Sequence, residues 1–131
     1  MTRFVVDASA VLHLASAGLE VPSTHKLLAP TLLRSQTLSA LHEAVQRGEI
    51  PADVGRERLA RIGRMPIRLL GDGVLRRRAW ELADQLGWES TFNAEYLALT
   101  QLQADAFITL DPVLARSVEA IVTTASTDAL R

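Results

Sequence analysis

The hydrophobic positions of this chain alternate between short continuous apolar runs and stretches with helical spacing, which predicts alternating strands and helices. Continuous apolar runs are typical of strands that are covered on both faces in a parallel sheet. The predicted strands comprise residues 4–6, 67–70, 106–110 and 121–124. The predicted helices comprise residues 10–17, 31–47, 51–62, 74–86, 90–104 and 112–120.

Glycine, proline and hydroxyl residues define several of these boundaries. Gly18 and Gly48 are expected to end helices, and Pro51 and Pro112 suit a first helical turn. Ser90 or Thr91 is the expected cap of the helix that follows it. Residues 19–30 mix polar and apolar residues with two prolines, so we expect a loop there with one helical turn.

The repeated alternation of strand and helix predicts an α/β fold. Parallel strands joined by right-handed crossovers form a mostly parallel sheet, here of about four strands, with helices on both faces. The length of 131 residues fits a single domain that spans residues 1–131. No glycine-rich phosphate loop follows the first strand, which argues against a P-loop or dinucleotide-binding fold.

Composition narrows the functional classes. The absence of cysteine excludes disulfides and thiolate metal sites, and no signal-peptide pattern or membrane-length apolar run is visible, so we expect a cytoplasmic protein. The net charge is -1, but 13 of the 14 basic residues are arginine, which favours pairing with phosphate or carboxylate. Arg76, Arg77 and Arg78 must point in different directions on one helix, so at least one is expected to be merely solvated.

Two aspartates are the main candidates for chemistry. Asp7 and Asp111 each follow a predicted strand, and the carboxyl ends of parallel strands meet at one edge of a sheet, where ligands bind. Each aspartate also precedes a predicted helix, so either could serve only as a helix N-cap. The convergence of two carboxylates at one edge favours a site.

The chain resembles the PIN-domain family, and within it the VapC-type toxins of bacterial toxin-antitoxin pairs. The resemblance covers nearly the whole length, and it is carried by the order and spacing of four segments. These are Val-Val-Asp-Ala-Ser-Ala-Val at 5–11, Leu-Ala-Pro at 28–30, Tyr-Leu-Ala-Leu at 96–99 and Ile-Thr-Leu-Asp-Pro-Val-Leu-Ala at 108–115.

The resemblance implies a three-layer α/β sandwich, RNA cleavage assisted by Mg²⁺ or Mn²⁺, a cognate antitoxin and commonly a homodimer. It also implies the site. Asp7 and Asp111 match two of the family's four acidic positions, whereas Gln36 stands where the family has glutamate and Asn93 where it has aspartate. Thr109, like Ser9, matches a small hydroxyl position.

The two amides change the electrostatics of such a site. Hard divalent cations take oxygen ligands, and carboxylates offset their charge. With two carboxylates in place of four, we expect weak binding of a single Mg²⁺ by Asp7 and Asp111, largely through water. Glu95 is expected to point away from the site and Glu43 to be displaced along its helix, which leaves compensation by either one open.

Three functional hypotheses therefore stand. The first is a VapC-like, metal-dependent endoribonuclease, with activity lowered by the loss of two carboxylates; Gln36 and Asn93 would orient water or metal, and arginines would bind RNA phosphate. The second is a PIN domain without catalysis that binds RNA or an antitoxin-like peptide. In the third, only oligomerisation remains. Divalent-ion binding and phosphodiester cleavage distinguish the first from the others.

Overall fold

The computed structural model describes residues 1–131 as a five-stranded, entirely parallel sheet with helices on both faces. In chain order the elements are β1 (Thr2–Val6), α1 (Ala8–Ala17), β2 (His25–Pro30), α2 (Leu32–Gln46), α3 (Ala52–Arg64), β3 (Ile67–Leu70), α4 (Gly73–Leu86), α5 (Phe92–Gln103), β4 (Ala106–Ile108), α6 (Pro112–Val118) and β5 (Thr124–Ala125). A short 3₁₀ helix, Thr127–Leu130, ends the chain.

The strand order β3-β2-β1-β4-β5 places β1 in the centre of the sheet. The chain first moves outward from β1 to β2 and β3, and then returns through α4 and α5 to β4 on the other side of β1. Since crossovers are right-handed, the reversal puts α1 and α5 on opposite faces. The carboxyl ends of β1 and β4 therefore form the switch point of the sheet, where open α/β folds bind ligands.

The buried core follows from the central strands. Val5, Val6, Phe107 and Ile108 are fully buried, as continuous apolar runs covered on both faces should be. Helix α5 packs across β1, β2 and β4, while α1 packs against α2 and α3 on the other face. The three layers thus place the switch point above a buried core.

The prediction of a loop over residues 19–30 is wrong, because His25–Pro30 forms β2. The strand pairs with β1 and β3, with Leu27 next to Phe4 and to Ile67. Its apolar run is short and ends in proline, so the local pattern resembles a loop, and only pairing on both sides stabilises it as a strand. The sheet consequently has five strands and not four.

Smaller differences concern element ends. Strand β4 ends at Ile108, two residues earlier than expected, and the last strand lies at Thr124–Ala125 after a turn. Thr91 occupies the cap position of α5 without a capping hydrogen bond; the Phe92 N–H instead donates to the Ser90 hydroxyl at 3.2 Å. None of the helices combines the length and the apolar character needed to cross a membrane.

Candidate functional site

Asp7 directly follows β1 and serves as the helix N-cap, one of the two roles that the sequence left open. Its Oδ1 caps α1 by accepting from the Ala10 N–H at 3.0 Å, and it also accepts from the Ser9 hydroxyl at 2.6 Å. Its own backbone N–H donates to the Ile108 carbonyl of the neighbouring strand at 3.2 Å. The side chain is buried, but Oδ2 accepts no hydrogen bond from the chain and remains open to a ligand.

Asp111 repeats this arrangement after β4. Its Oδ1 caps α6 by accepting from the Val113 N–H at 3.0 Å and the Leu114 N–H at 3.2 Å. The residue is exposed, and its Oδ2 likewise accepts no hydrogen bond from the chain. Each aspartate therefore uses one oxygen for a helix and presents the other at the switch point.

The hydroxyls of Ser9 and Thr109 link the segments that carry Asp7 and Asp111 by hydrogen bonds. The Ser9 hydroxyl accepts from the Leu110 N–H at 2.9 Å, and the Thr109 hydroxyl accepts from the Asp111 N–H at 3.1 Å. The two hydroxyl oxygens lie 3.4 Å apart. Because the single hydroxyl proton of Ser9 is donated to Asp7, Thr109 is the donor in that contact. A continuous chain of hydrogen bonds thus runs from Asp7 to Asp111.

Gln36 and Tyr96 form the next part of the site. The Tyr96 hydroxyl donates to Gln36 Oε1 at 2.6 Å and so joins α2 to α5. Burial raises the pKa of Tyr96 well above its ordinary value, and the nearby charges of Asp7 and Glu95 raise it further. Tyr96 therefore stays protonated as a donor. Gln36 Oε1 keeps a second lone pair that can face water or a cation, and the amide NH₂ can donate to water or phosphate.

Asn93 and the two glutamates occupy different environments. Asn93 is exposed in the first turn of α5, one turn before Tyr96, and makes no side-chain hydrogen bond. Glu43 is exposed on α2, where it accepts from the Ser39 hydroxyl at 3.2 Å and forms a salt bridge with Arg47 at 3.6 Å. Glu95 is half-buried and faces a groove beside α4; burial raises the pKa of its carboxyl, and Arg76 partly offsets that rise.

The donor set fits a hydrated Mg²⁺ ion but not an enclosed one. No three histidine, cysteine or acidic side chains come together to form a metal cage. Mg²⁺ is commonly bound by one or two carboxylates together with water and substrate phosphate, which matches the free oxygens of Asp7 and Asp111. An ion held by this set would take its remaining ligands from water and substrate.

Sequence reasoning did not identify Tyr96 as a part of the site. A tyrosine on an otherwise apolar helix face is a usable signal, because its hydroxyl needs a hydrogen-bond partner when it is buried. Tyr96 is the only tyrosine of the chain and is 1% exposed. What the sequence could not supply was the partner, Gln36, which lies 60 residues away.

No protein-family model and no curated protein matches the sequence. Solved structures do match. PAE2754 from Pyrobaculum aerophilum is 18% identical with a TM-score of 0.78, over 98% of this chain and 92% of that one. VapC20 of Mycobacterium tuberculosis, a toxin that cleaves the sarcin-ricin loop, is 15% identical with a TM-score of 0.62, over 87% and 94%.

VapBC2 from Rickettsia felis, bound to a DNA fragment from its promoter, is 8% identical with a TM-score of 0.62, over 95% of this chain and 98% of that one. These structural similarities span nearly the full length of each chain, but the sequence identity is low, so they show a shared fold alone. The chain has the VapC-like PIN fold that its motifs predict.

Proposed function

We propose that this protein is a VapC-like toxin, a metal-dependent endoribonuclease that cleaves RNA phosphodiester bonds. The observation that carries the proposal is the pair of aspartates at the switch point. Asp7 and Asp111 are joined through Ser9 and Thr109, and each presents one free carboxylate oxygen. The shared fold with a toxin that cleaves the sarcin-ricin loop supports RNA as the substrate class.

Mg²⁺ or Mn²⁺, held by Asp7, Asp111 and water, would supply an activated water and charge stabilisation at the phosphate. The free oxygens of the two aspartates accept hydrogen bonds from water and orient it. Gln36, oriented by the hydrogen bond from Tyr96 to its carbonyl oxygen, donates its NH₂ to a phosphate oxygen. Asn93, exposed one turn earlier on α5, offers an amide to the same incoming strand.

A catalytically degenerate PIN domain is the second candidate, and a specific observation favours it. Gln36 and Asn93 are amides, and no third acidic side chain joins Asp7 and Asp111. Such a domain would keep its groove for RNA or for an antitoxin without cleaving. In either case we expect a cognate antitoxin, for which the likeness to VapBC2 gives support, and a homodimer, as the resemblance to VapC toxins implies.

Calorimetric titration with Mg²⁺ and then Mn²⁺, combined with an RNA cleavage assay, tests the proposal. We expect saturable binding in the purified chain that is lost in both Asp7→Asn and Asp111→Asn, and cleavage that stops in EDTA. Asp84→Asn is the matched control, since it removes one negative charge from an exposed position on α4. Absence of binding up to millimolar metal would contradict the enzyme and favour the binding module.

A further inference from the structure

A second groove lies at the same sheet edge as the aspartates, where β2 and β3 end. It encloses about 740 Å³, with Thr31 and Gly71 at its base. The Thr31 N–H donates to the Leu70 carbonyl at 3.1 Å, which fixes this base to the end of β3. Since neighbouring strands are about 4.8 Å apart, the base lies about 10 Å from the switch point between β1 and β4. Adjoining nucleotides of one strand can span that distance.

The three arginines of the run on α4 differ in their contacts. Arg78 is engaged within the protein, because it donates to Gln101 at 2.9 Å and pairs with Glu81 at 3.1 Å. Arg76 and Arg77 line the groove and make no salt bridge or side-chain hydrogen bond. Two guanidinium groups are therefore available to a ligand that carries phosphate.

Trp80 is the aromatic component of the same groove. It lies on α4 one turn after Arg76 and Arg77, and 67% of its surface is exposed. Phe92, at the start of α5 and next to the groove residue Thr91, is also 55% exposed. Exposed aromatic rings beside arginines are the usual means of binding single-stranded nucleic acid, because the bases stack on the rings and the cations contact the backbone.

We propose that this groove, bounded by Thr31, Gly71, Arg76, Arg77, Trp80 and Glu95, binds a nucleotide of single-stranded RNA next to the phosphate at the Asp7 and Asp111 site. Trp80 stacks on the base and Arg76 and Arg77 contact the backbone. Glu95, on the opposite wall, accepts hydrogen bonds from the base edge. This inference rests on the proposed function, since it names the form of RNA that the site receives.

The lining of the groove favours RNA over a second copy of the chain. Only two of its ten residues are hydrophobic, whereas the centre of a stable dimer interface is largely apolar and depleted of charge. The lining instead combines two arginines, two glutamates, two threonines and the ring of Trp80. Continuity with the aspartate edge gives the same strand access to both places.

Trp80 fluorescence provides a direct test. The chain has two tryptophans, so Trp88→Phe leaves Trp80 as the only one. We expect a short oligouridylate, titrated in EDTA at low salt, to quench this signal, whereas duplex RNA does not. In the chain that keeps Trp88, Trp80→Ala should weaken binding of the oligouridylate about 10-fold, whereas Trp80→Phe should retain most of it. Arg76→Ala and Arg77→Ala should each reduce the slope of log affinity against log salt concentration by about 0.7.

Arg47→Ala is the matched control. Arg47 follows the far end of α2, about 24 Å from Thr31 along the helix axis, and its side chain forms a salt bridge with Glu43 at 3.6 Å. Equal loss of binding in Arg47→Ala and Arg77→Ala would overturn the inference, because it would reveal general charge attraction. The inference would also be overturned if RNA does not quench Trp80 and Trp80→Ala changes the oligomeric mass. That result would assign the groove to a second copy of the chain.

The experiment separates this inference from the proposed function. Because quenching is measured in EDTA, it reports on binding in the groove and does not require metal-dependent cleavage. Quenching without cleavage by the wild-type protein would contradict the endoribonuclease and leave the groove supported. Metal-dependent cleavage without quenching would contradict the groove alone.

Discussion

Asp7 caps α1 with the same carboxylate that we propose as a metal ligand, and two substitutions separate the two roles. Asparagine caps helices about as well as aspartate, so Asp7→Asn should leave the free energy of unfolding nearly unchanged. Asp7→Ala removes the acceptor for Ala10 and Ser9 and should cost about 1 kcal/mol. Urea denaturation measures both. A loss of about 1 kcal/mol in Asp7→Asn would show that the cap depends on the charge.

Gln36 and Asn93 are uncharged side chains at two positions of the proposed metal site. Gln36→Glu combined with Asn93→Asp should tighten Mg²⁺ binding by roughly 10-fold or more and raise RNA cleavage, because each change adds a carboxylate that offsets the charge of the cation. Calorimetry and the cleavage assay measure the two effects. Gln46→Glu with Gln85→Glu is the control, since it adds the same charge at exposed positions elsewhere. Equal Mg²⁺ affinity in both double variants would mean that Gln36 and Asn93 lie outside the site.

Glu95 should give stability a dependence on pH. Burial raises its pKa, so between the ordinary value of 4.5 and the raised value the folded chain binds more protons than the unfolded chain. The free energy of unfolding contributed by Glu95 therefore falls as pH rises through that window. Glu95→Gln should stabilise the protein slightly at pH 7 and not below pH 4.5. Denaturation at both pH values measures the difference, and an equal effect at both would contradict the assignment.

At the scale of elements, Gly87 and Gly63 differ in whether alanine can replace them without strain. Gly87 ends α4 with a φ of +69°, a left-handed conformation that costs other residues energy. Gly63 lies in the last turn of α3, and a Cβ added there would meet no atom within 4 Å. Gly87→Ala should therefore destabilise the protein by about 1 kcal/mol, whereas Gly63→Ala should stabilise it by about 0.5–1 kcal/mol.

Thermal unfolding monitored by circular dichroism measures both glycine variants. They are matched, since each adds one methyl group and neither added Cβ meets another atom within 4 Å. Destabilisation by Gly63→Ala would show that α3 is strained or covered at that position, contrary to the structure.

At the scale of the whole molecule, the proposed metal site exists only in the folded chain, because β1 and β4 bring together aspartates that are 104 positions apart in sequence. Mg²⁺ should therefore raise Tm progressively with its concentration, since binding to the folded state alone stabilises it. The shift should disappear in Asp7→Asn combined with Asp111→Asn. Scanning calorimetry at constant ionic strength measures it, and an equal shift in the double variant would indicate non-specific ion effects.

Much of the fold was predictable from local pattern. The apolar run of β1, the helical spacing of α4 and the glycine that ends α1 predicted these elements correctly. Strand β2 was not predictable, because its short run between prolines becomes a strand only by pairing with β1 and β3. The local sequence pattern indicates the conformation that a segment favours by itself, whereas strand pairing depends on residues that are distant in sequence.

The sequence by itself determined the parallel α/β class and the position of Asp7 and Asp111 after strands, because periodicity, strand ends and helix caps are local properties. Only the tertiary structure decided which side chains meet. The contact from Tyr96 to Gln36 spans 60 residues and that from Leu110 to Ser9 spans 101, and neither leaves a local signal. The groove of Trp80 and Glu95 likewise depends on how α4 packs against α5, which is decided by the burial of side chains from both helices.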